Sequence, residues 1–545
     1  MEKDMKYIEE QERGMYFSKK KYEEKPLYTY EMVKDKLPIP ITEGRKRWKD
    51  SYDYSVKILF QNIHKPTAES GFVSNFVDAA FNADVFLWDT VFMTLFCNLF
   101  HTYVPGICSL DNFYCKQLED GEIPREMIRE TGEDFPLWVN VYRKPLYSYF
   151  HNHYGFRRLK ELTNLPYEEM YKPELGRTVE KNPYLTLDNL NHPLLALGEL
   201  ESYRFTGDVE RLKLVYEPLF RQYEAMKYHL RHVSGLYVTD WASMDNSPRN
   251  KYLGMGVDIT SEMAMLAGQL IKIMEILEKA GDVRPEFEER KERLKQDREE
   301  TAAAINKYMW NEKDGFYYDV DDNLSQTGIK TIAGFFPMLA GIADEHQKSC
   351  LIKWLNDKET FNRVHRIPVL AANEEGFCPE GGYWSGSVWA PTNALVVLAL
   401  EQNGYHELAA EIGKNHMDVL SQVYEKTGTI WENYPADSVT SGDADNKDFV
   451  GWSGIGSILF LIEYGIGLQG NKDGLKWDIS EAVKDGKLGC RNYWFGGKKG
   501  DFLAEIRNHV LHITIDTEDE FPAEIQYEGK TYSMFVSGKT EMDLK

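Results

Sequence analysis

The sequence predicts an all-α fold, a toroid of paired helices, followed by a small β-rich region at the C-terminus. Three observations support this class. Amphipathic or apolar stretches with helical periodicity dominate from about residue 45 to 468. They come in neighbouring pairs joined by short turns such as FTGD and EQNGYHE. After about residue 470, short alternating runs between Gly-rich turns are typical of strands and hairpins.

The helical elements follow from the spacing of apolar residues. KRWKDSYDYSVKILFQNI predicts an amphipathic helix, and WDTVFMTLFCNLFHTY, which is apolar almost all round, predicts a buried one. We expect the others over residues 192–206, 209–231, 258–280, 286–309, 329–341, 344–356, 391–403, 406–425 and 450–467. Consecutive hairpins fit a toroid or a stacked solenoid. No repeat of fixed period is present, which favours the toroid.

Three segments follow along the chain. Residues 1–44 are highly charged, which predicts an N-terminal arm. Residues 45–468 are predicted to form the helical domain. Residues 469–545 contain NYWFGG, FLAEIR, HVLHITID and AEIQYEG, which predict a C-terminal β-rich domain.

Charge and composition exclude several functional classes. The 545 residues carry a net charge of −23, which repels nucleic acid and anionic lipid. The sequence contains no run of about 20 apolar residues, so we expect no membrane span. The charged start, MEKDMKYIEEQERG, does not have the pattern of a secretory leader, so we expect a cytoplasmic protein. The scattered cysteines lack zinc-like spacing, and no phosphate loop or EF-hand is present, so we expect no metal and no cofactor.

Aromatic residues make up 13% of the chain, and two clusters of them lie in predicted loops. GGYWSGSVWAPTN, residues 381–393, carries Tyr383, Trp384 and Trp389. TGTIWENYPADS, residues 427–438, sets Glu432 beside Trp431. Aromatic faces stack on sugar rings, and burial beside them can raise the pKa of a carboxyl group. Simple core packing explains either cluster equally well, because aromatic side chains fill cores efficiently.

Three polar motifs add candidate groups. TDWASMDNSPRN, residues 239–250, offers Asp240 and Asp245, although Asp before Ser-Pro is more often a turn residue. FLWDTVF, residues 86–92, carries Trp88 and Asp89, where Asp is also a good helix N-cap. DGEIPREM carries Arg125 and Glu126, which could equally form a surface ion pair.

Together and in this order, WDT, SMDNSPR, YWSGSVWAPTN and TGTIWENY resemble glycoside hydrolases of family 63 and their relatives: trehalase, processing α-glucosidase I and mannosylglycerate hydrolase. The resemblance covers roughly residues 45–468 and implies an (α/α)6 barrel. It implies that Asp245 is the general acid and Glu432 the general base. The substrate-binding residues expected with them are Trp88, Asp89, Arg125, Glu126, Asn246, Tyr383, Trp384, Trp389, Trp431 and Trp452.

The expected activity is that of an inverting glycosidase in carbohydrate metabolism. The resemblance favours an α-glucoside or α-mannoside of a small acceptor as the substrate, and a small oligosaccharide or glycoside as the only binding partner. In an inverting enzyme the two carboxyl groups lie roughly 6.5–9.5 Å apart, which leaves room for the attacking water. Two alternatives stay open: a sugar phosphorylase or epimerase on the same toroid, and a non-catalytic glycan-binding protein.

Overall fold

The computed structural model describes residues 12–18, 20–79, 82–133, 192–239, 244, 246–321, 323–442 and 445–544. Helices dominate the N-terminal four-fifths of this part of the chain. They are α1 (Tyr30–Val33), α2 (Lys46–Gln61), α3 (Leu87–Cys97), α4 (Asp111–Tyr114), α5 (Leu195–Thr206), α6 (Val209–Leu230), α7 (Val257–Lys279), α8 (Phe287–Tyr308), α9 (Phe336–Leu339), α10 (Glu345–Asn356), α11 (Ala390–Gln402), α12 (His406–Thr427) and α13 (Ile455–Ile466), the last of π type.

Local sequence explains how several helices begin and end. Asp208 caps α6 by accepting a hydrogen bond from the Arg211 amide at 3.0 Å. Asp344 and Gln347 form a reciprocal capping box at the start of α10. Gly207 ends α5 with φ of 76°, a left-handed conformation that glycine adopts without a steric penalty. Short connections of this kind make α5 and α6, α7 and α8, and α11 and α12 neighbouring hairpins, as their mutual contacts show.

The strands fall into two larger sheets and several small pairs. They are β1 (Ile39–Thr42), β2 (Ile63–His64), β3 (Phe76–Val77), β4 (Asp84–Phe86), β5 (Glu126–Ile128), β6 (Trp310–Asn311), β7 (Phe316–Tyr317), β8 (Leu468–Gly470), β9 (Leu475–Asp478), β10 (Leu488–Phe495), β11 (Lys498–Arg507), β12 (Val510–Thr517), β13 (Glu520–Tyr527), β14 (Lys530–Ser537) and β15 (Thr540–Leu544).

The C-terminal strands build a five-stranded sheet in the order β1-β10-β11-β12-β15 and a four-stranded sheet in the order β14-β13-β9-β8. β1 comes from the N-terminal segment and pairs antiparallel with β10, so that Ile39 lies opposite Arg491. Buried aromatic side chains, Trp477, Phe495, Phe502 and Phe521, fill the core of this region. The Trp477 indole donates to the Ile466 carbonyl at 3.2 Å and fastens the sheets to α13.

The predicted fold class, an all-α (α/α)6 barrel with a small β appendage, is wrong for this chain. Individual helices lie close to their predicted positions, for example α6 at Val209–Leu230 and α10 at Glu345–Asn356. The β region, however, is a substantial two-sheet structure that recruits a strand from the N-terminal segment and shares a core with the helices. Helices and a mainly antiparallel sheet region in separate parts of the chain define an α+β protein.

The first turns of α3, α7, α11 and α13 meet at one end of the helical body. Trp88 in α3 contacts Trp384, just before α11, and Trp452, just before α13. His192 stacks on the same Trp88 ring and binds Glu262 in α7. In the described part of the chain, no helix has the length and apolar character needed to cross a membrane.

A buried histidine pair lies beneath the loop that carries Glu432. His365 and His416 share a 2.9 Å nitrogen–nitrogen hydrogen bond, and the His365 ring contacts Tyr434. Burial lowers the pKa of His416 to about 3, and burial together with the neighbouring His416 holds the pKa of His365 well below its usual range. Both rings are therefore neutral in the folded protein. The unfolded chain binds protons at these histidines below about pH 6.5, so their contribution to stability is present above that pH and is lost as the pH falls.

We therefore expect His416→Gln to flatten the pH dependence of unfolding. Between pH 6.5 and 5, the slope of the unfolding free energy against pH should decrease by about 1 kcal/mol per pH unit relative to the unmutated protein. Urea unfolding at several pH values measures the slope. The control is His346→Gln, because His346 is exposed and should leave the slope unchanged. An unaltered slope in His416→Gln would show that this ring is not held neutral.

Candidate active site

Four tryptophans form a cage at the end of the helical body where the helix starts meet. The Trp384 and Trp389 rings stack in parallel with centroids 4.0 Å apart, and Trp88 stacks on Trp384 at 5.9 Å. Trp452 stands edge-on to both Trp88 and Trp389, at 5.6 and 5.4 Å. These four predicted site residues come from motifs far apart in sequence, and the structure brings them together. Flat apolar ring faces suit contact with the apolar side of an amphipathic ligand.

The loop before α11 shapes one wall of the cage. Gly382 and Tyr383 both have positive φ, 63° and 58°, and the turn presents Trp384 to the cage. The Trp389 indole donates to the Tyr383 carbonyl at 3.2 Å, and the two rings meet edge to face. The strained Tyr383 backbone is held by these contacts, a pattern that is common at functional sites.

Asn246 links the 244–250 segment to this loop. Its side-chain amide donates to the Gly382 carbonyl at 3.0 Å and accepts from the Trp384 amide at 2.8 Å. The Ser385 hydroxyl donates to the Asn246 carbonyl at 2.9 Å. Asn246 therefore binds loop backbone, so its visible role is to position Trp384. Asp245 and Asp240 lie outside the described residues.

A buried ion-pair cluster anchors the segment that carries Asn246. The Arg249 guanidinium is fully buried and forms paired hydrogen bonds with Asp258, at 2.6 and 3.0 Å, and with Asp319, at 2.7 and 2.5 Å. Asn250 donates to the Met244 carbonyl at 2.9 Å and closes the turn. The turn that contains Met244 and Asn250 is thus fixed through Arg249 to the first turn of α7.

Glu432 is 2% exposed, and its backbone is fixed on both sides. Its amide donates to the Asn446 carbonyl at 3.0 Å and to the Asp445 carboxylate at 2.8 Å. Its carbonyl accepts from the Trp452 indole at 3.1 Å and from the Ser453 hydroxyl at 3.2 Å. The carboxylate of Glu432 accepts from the Asn446 side-chain amide at 2.7 Å.

Asp89 places a second buried carboxyl group beside Glu432. It lies in the first turn of α3 and is 4% exposed. Burial, reinforced by the negative charge of Glu432, holds the pKa of Asp89 well above its usual range. Each of two neighbouring carboxyl groups disfavours the ionisation of the other, which adds to the effect of burial on the pKa of Asp89.

The β4–β5 pair supports the start of α3. Phe86 lies opposite Glu126 in this pair, and the Leu87 amide donates to the Arg125 carbonyl at 2.9 Å. The charge of the buried Glu126 also contributes to the raised pKa of Asp89. Glu126 therefore lies next to the start of α3, and the described contact of Arg125 is made by its backbone.

Trp431 contacts the end of α12 and Tyr434, and not the four-tryptophan cage. Its indole donates to the Thr427 hydroxyl at 3.1 Å, at the end of α12, and its amide donates to the Tyr434 hydroxyl at 3.0 Å. Its observed contacts fix the loop that carries Glu432, and they differ from those of the four-tryptophan cage.

Sequence reasoning missed two groups at the site. His192 stacks on Trp88 with centroids 4.6 Å apart, and its Nδ1 lies 2.7 Å from the buried Glu262 carboxylate. Asp445 and Asn446 surround Glu432 from a later loop. Burial and the charge of Glu432 raise the pKa of Asp445 to about 8, although its N–H donors favour the ionised form. A His-Pro pair at a helix start and an acidic loop are weak sequence signals. Among the described residues no His, Cys, Asp and Glu side chains form a group that could hold a metal ion.

An indole cage beside two buried carboxyl groups, at one end of paired helices, is compatible with a carbohydrate-active enzyme. Residues 186–452 match the family model of the mannosylglycerate hydrolase MGH1-like glycoside hydrolase domain. Over this segment the chain is similar to that family. The resemblance predicted from the sequence motifs is confirmed.

Relatives and solved structures agree with this assignment. An uncharacterized protein of Borreliella burgdorferi is 33% identical over 254 residues, which span 45% of this chain and 52% of the relative. The probable mannosyl-oligosaccharide glucosidase of Schizosaccharomyces pombe is 29% identical over 150 residues, 25% of this chain and 18% of that protein. Each match thus spans about half or less of the curated relative.

A likeness in fold extends further than the likeness in sequence. The family 63 mannosylglycerate hydrolase of Thermus thermophilus, solved in complex with glucose, superposes with a TM-score of 0.52 at 16% identity. The match covers 75% of this chain and 99% of that one. At this identity the likeness shows a shared fold.

Proposed function

We propose that this protein is an inverting glycosidase that hydrolyses an α-linked glucoside or mannoside of a small acceptor. Glu432 is the general base and Asp245 the general acid. The observation that carries the proposal is the buried Glu432 carboxylate, fixed beside Asp89 and next to the tryptophan cage. The family match and the names of the relatives support a glycoside as the substrate.

In this mechanism the cage holds the sugar ring by its apolar faces. Burial and the charge of Glu432 keep the carboxyl group of Asp89 protonated. It therefore donates a hydrogen bond to one sugar hydroxyl and accepts a hydrogen bond from another. Because Asp89 is protonated, the negative charge of the pair lies on Glu432. A general base must be ionised in this way to accept a proton.

The reaction then balances with one water molecule. Glu432 takes a proton from the water as its oxygen attacks the anomeric carbon. The bond from that carbon to the glycosidic oxygen breaks, and Asp245 donates its proton to the departing oxygen. Water approaches from the face opposite the leaving group, so an α-glycoside yields a β-sugar. A cytoplasmic location and a small glycoside as the only partner remain predictions.

Product stereochemistry tests the proposal. A panel of α-linked disaccharides and glycosyl-glycerates is incubated with the enzyme, and proton NMR records the first anomer formed. We expect the β-anomer to appear first and to mutarotate slowly. Turnover should not require phosphate. A first-formed α-anomer, or turnover that depends on phosphate, would contradict the inverting hydrolase and favour a retaining enzyme or a phosphorylase.

A further inference from the structure

The Asp445 side chain accepts hydrogen bonds from N–H groups on both sides of the loop that carries Glu432. Its Oδ1 accepts hydrogen bonds from the Glu432 amide at 2.8 Å, the Asn433 amide at 3.0 Å and the Asn433 side chain at 3.3 Å. Its Oδ2 accepts from the Gly442 amide at 3.2 Å. One carboxylate therefore joins the backbone at 432–433 to the backbone at 442.

Asn446, the next residue, contacts Glu432 twice. Its carbonyl accepts from the Glu432 amide at 3.0 Å, and its side-chain amide donates to the Glu432 Oε2 at 2.7 Å. The first contact fixes the backbone on which the carboxylate is mounted. The second fixes the carboxylate itself, because a hydrogen bond from a neutral donor to an ionised acceptor is both short and directional.

The direction of this bond has a chemical consequence. An amide N–H donor stabilises the ionised carboxylate more strongly than the protonated carboxyl group. A general base must also be held to within about 0.5 Å of its working position, since misplacement costs rate steeply. Asn446 meets both requirements for Glu432, while Asp445 holds the two loop strands together.

We propose that Asn446 is the positioning residue of the general base Glu432, with Asp445 as the anchor that holds Asn446 in place. This inference rests on the proposed function of Glu432. Both residues act through Glu432, so their loss should reduce turnover more than substrate binding.

The test compares the pH profiles of variants at position 446. Asn446→Ala should lower kcat by about 10- to 100-fold with KM within about threefold, the scale of a lost hydrogen bond to a charged group. The acidic limb of the kcat/KM profile should move up by up to about one pH unit, because the carboxylate loses a donor that favours ionisation. Asn446→Asp, of the same shape, adds a like charge and should move the limb further. Asn446→Gln keeps a donor and should recover part of the rate.

Two further variants complete the experiment. Asp445→Asn should also lower kcat with KM nearly unchanged, because its side-chain amide replaces one of the two acceptor oxygens with an N–H donor that faces a backbone N–H group. Thr440→Ala is the matched control, since Thr440 is exposed on the same loop and should keep the unmutated profile. Circular dichroism melts verify that each variant is folded.

The outcomes separate this inference from the proposed function. An unshifted acidic limb in folded Asn446→Ala, or a change in KM alone, would overturn the positioning role. That result would leave Glu432 as the base if Glu432→Gln is inactive. If Glu432→Gln keeps near-native turnover, the proposed function itself fails.

Discussion

Glu432→Gln should reduce kcat on an α-glycoside by about 1000-fold or more, since a general base contributes roughly 10²–10⁴-fold to the rate and here also orients the water. The variant should remain folded, because the side chain is isosteric and the fixed contacts of Glu432 are mostly made by its backbone. Steady-state kinetics and a thermal melt measure both quantities. The matched control is Glu374→Gln, because Glu374 is a partly buried loop glutamate whose side chain pairs with Lys330, and it should keep its turnover.

The leaving group distinguishes the two proposed catalytic residues. An α-glycosyl fluoride has a leaving group that needs no proton, so Asp245→Asn should be slow on a natural glycoside and recover much of its rate on the fluoride. Glu432→Gln should stay slow on both, because water still requires a base. Equal recovery of the two variants would contradict the division of roles, and near-native turnover of either on the natural glycoside would remove that residue from the mechanism.

Local periodicity and the motifs predicted a large part of the site. The helices α6, α7 and α12 begin and end within about two residues of their expected bounds, because amphipathic spacing and end signals such as Gly428 act locally. Trp384 and Trp389 were candidates from an aromatic motif and Trp88 from FLWDTVF, whereas Trp452 was expected only from the family resemblance. Each motif alone was compatible with simple packing, and in the structure Trp384 and Trp389 are indeed buried.

The features that could not be predicted from the sequence depend on contacts between residues that are not adjacent in the chain. β1 pairs with β10 across more than 400 positions, and a four-residue strand in a charged segment gives no signal of that partner. The all-α class was wrong because helical periodicity over residues 45–468 outweighed the strand signals after residue 470. Asp445 and His192 were missed for a related reason: their partners, the Glu432 amide and the Glu262 carboxylate, lie 13 and 70 positions away. Such polar contacts leave no periodic pattern.

The ion-pair cluster around Arg249 should be the most sensitive point for stability near the site. Arg249 and Asp258 are both fully buried, and Asp319 is 1% exposed. Their mutual attraction raises the pKa of Arg249 and lowers that of Asp258, while burial raises the pKa of Asp319. The charges of the cluster depend on one another, because removal of the Arg249 cation leaves the buried carboxyl groups of Asp258 and Asp319 without a positive partner.

Arg249→Met should therefore lower the free energy of unfolding by about 3–5 kcal/mol, the cost of breaking a buried pair by removing one partner. Arg363→Met is the control: Arg363 also forms two hydrogen bonds with one carboxylate, Asp437, but both side chains are about a quarter exposed, so the loss should be about 1 kcal/mol or less. Urea unfolding measures both variants. The loss in Arg249→Met should be smaller at acid pH, where the two orphaned carboxyl groups are protonated. Equal losses in the two arginine variants would show that burial of the cluster adds nothing, and that the 244–250 segment is held by its turn alone.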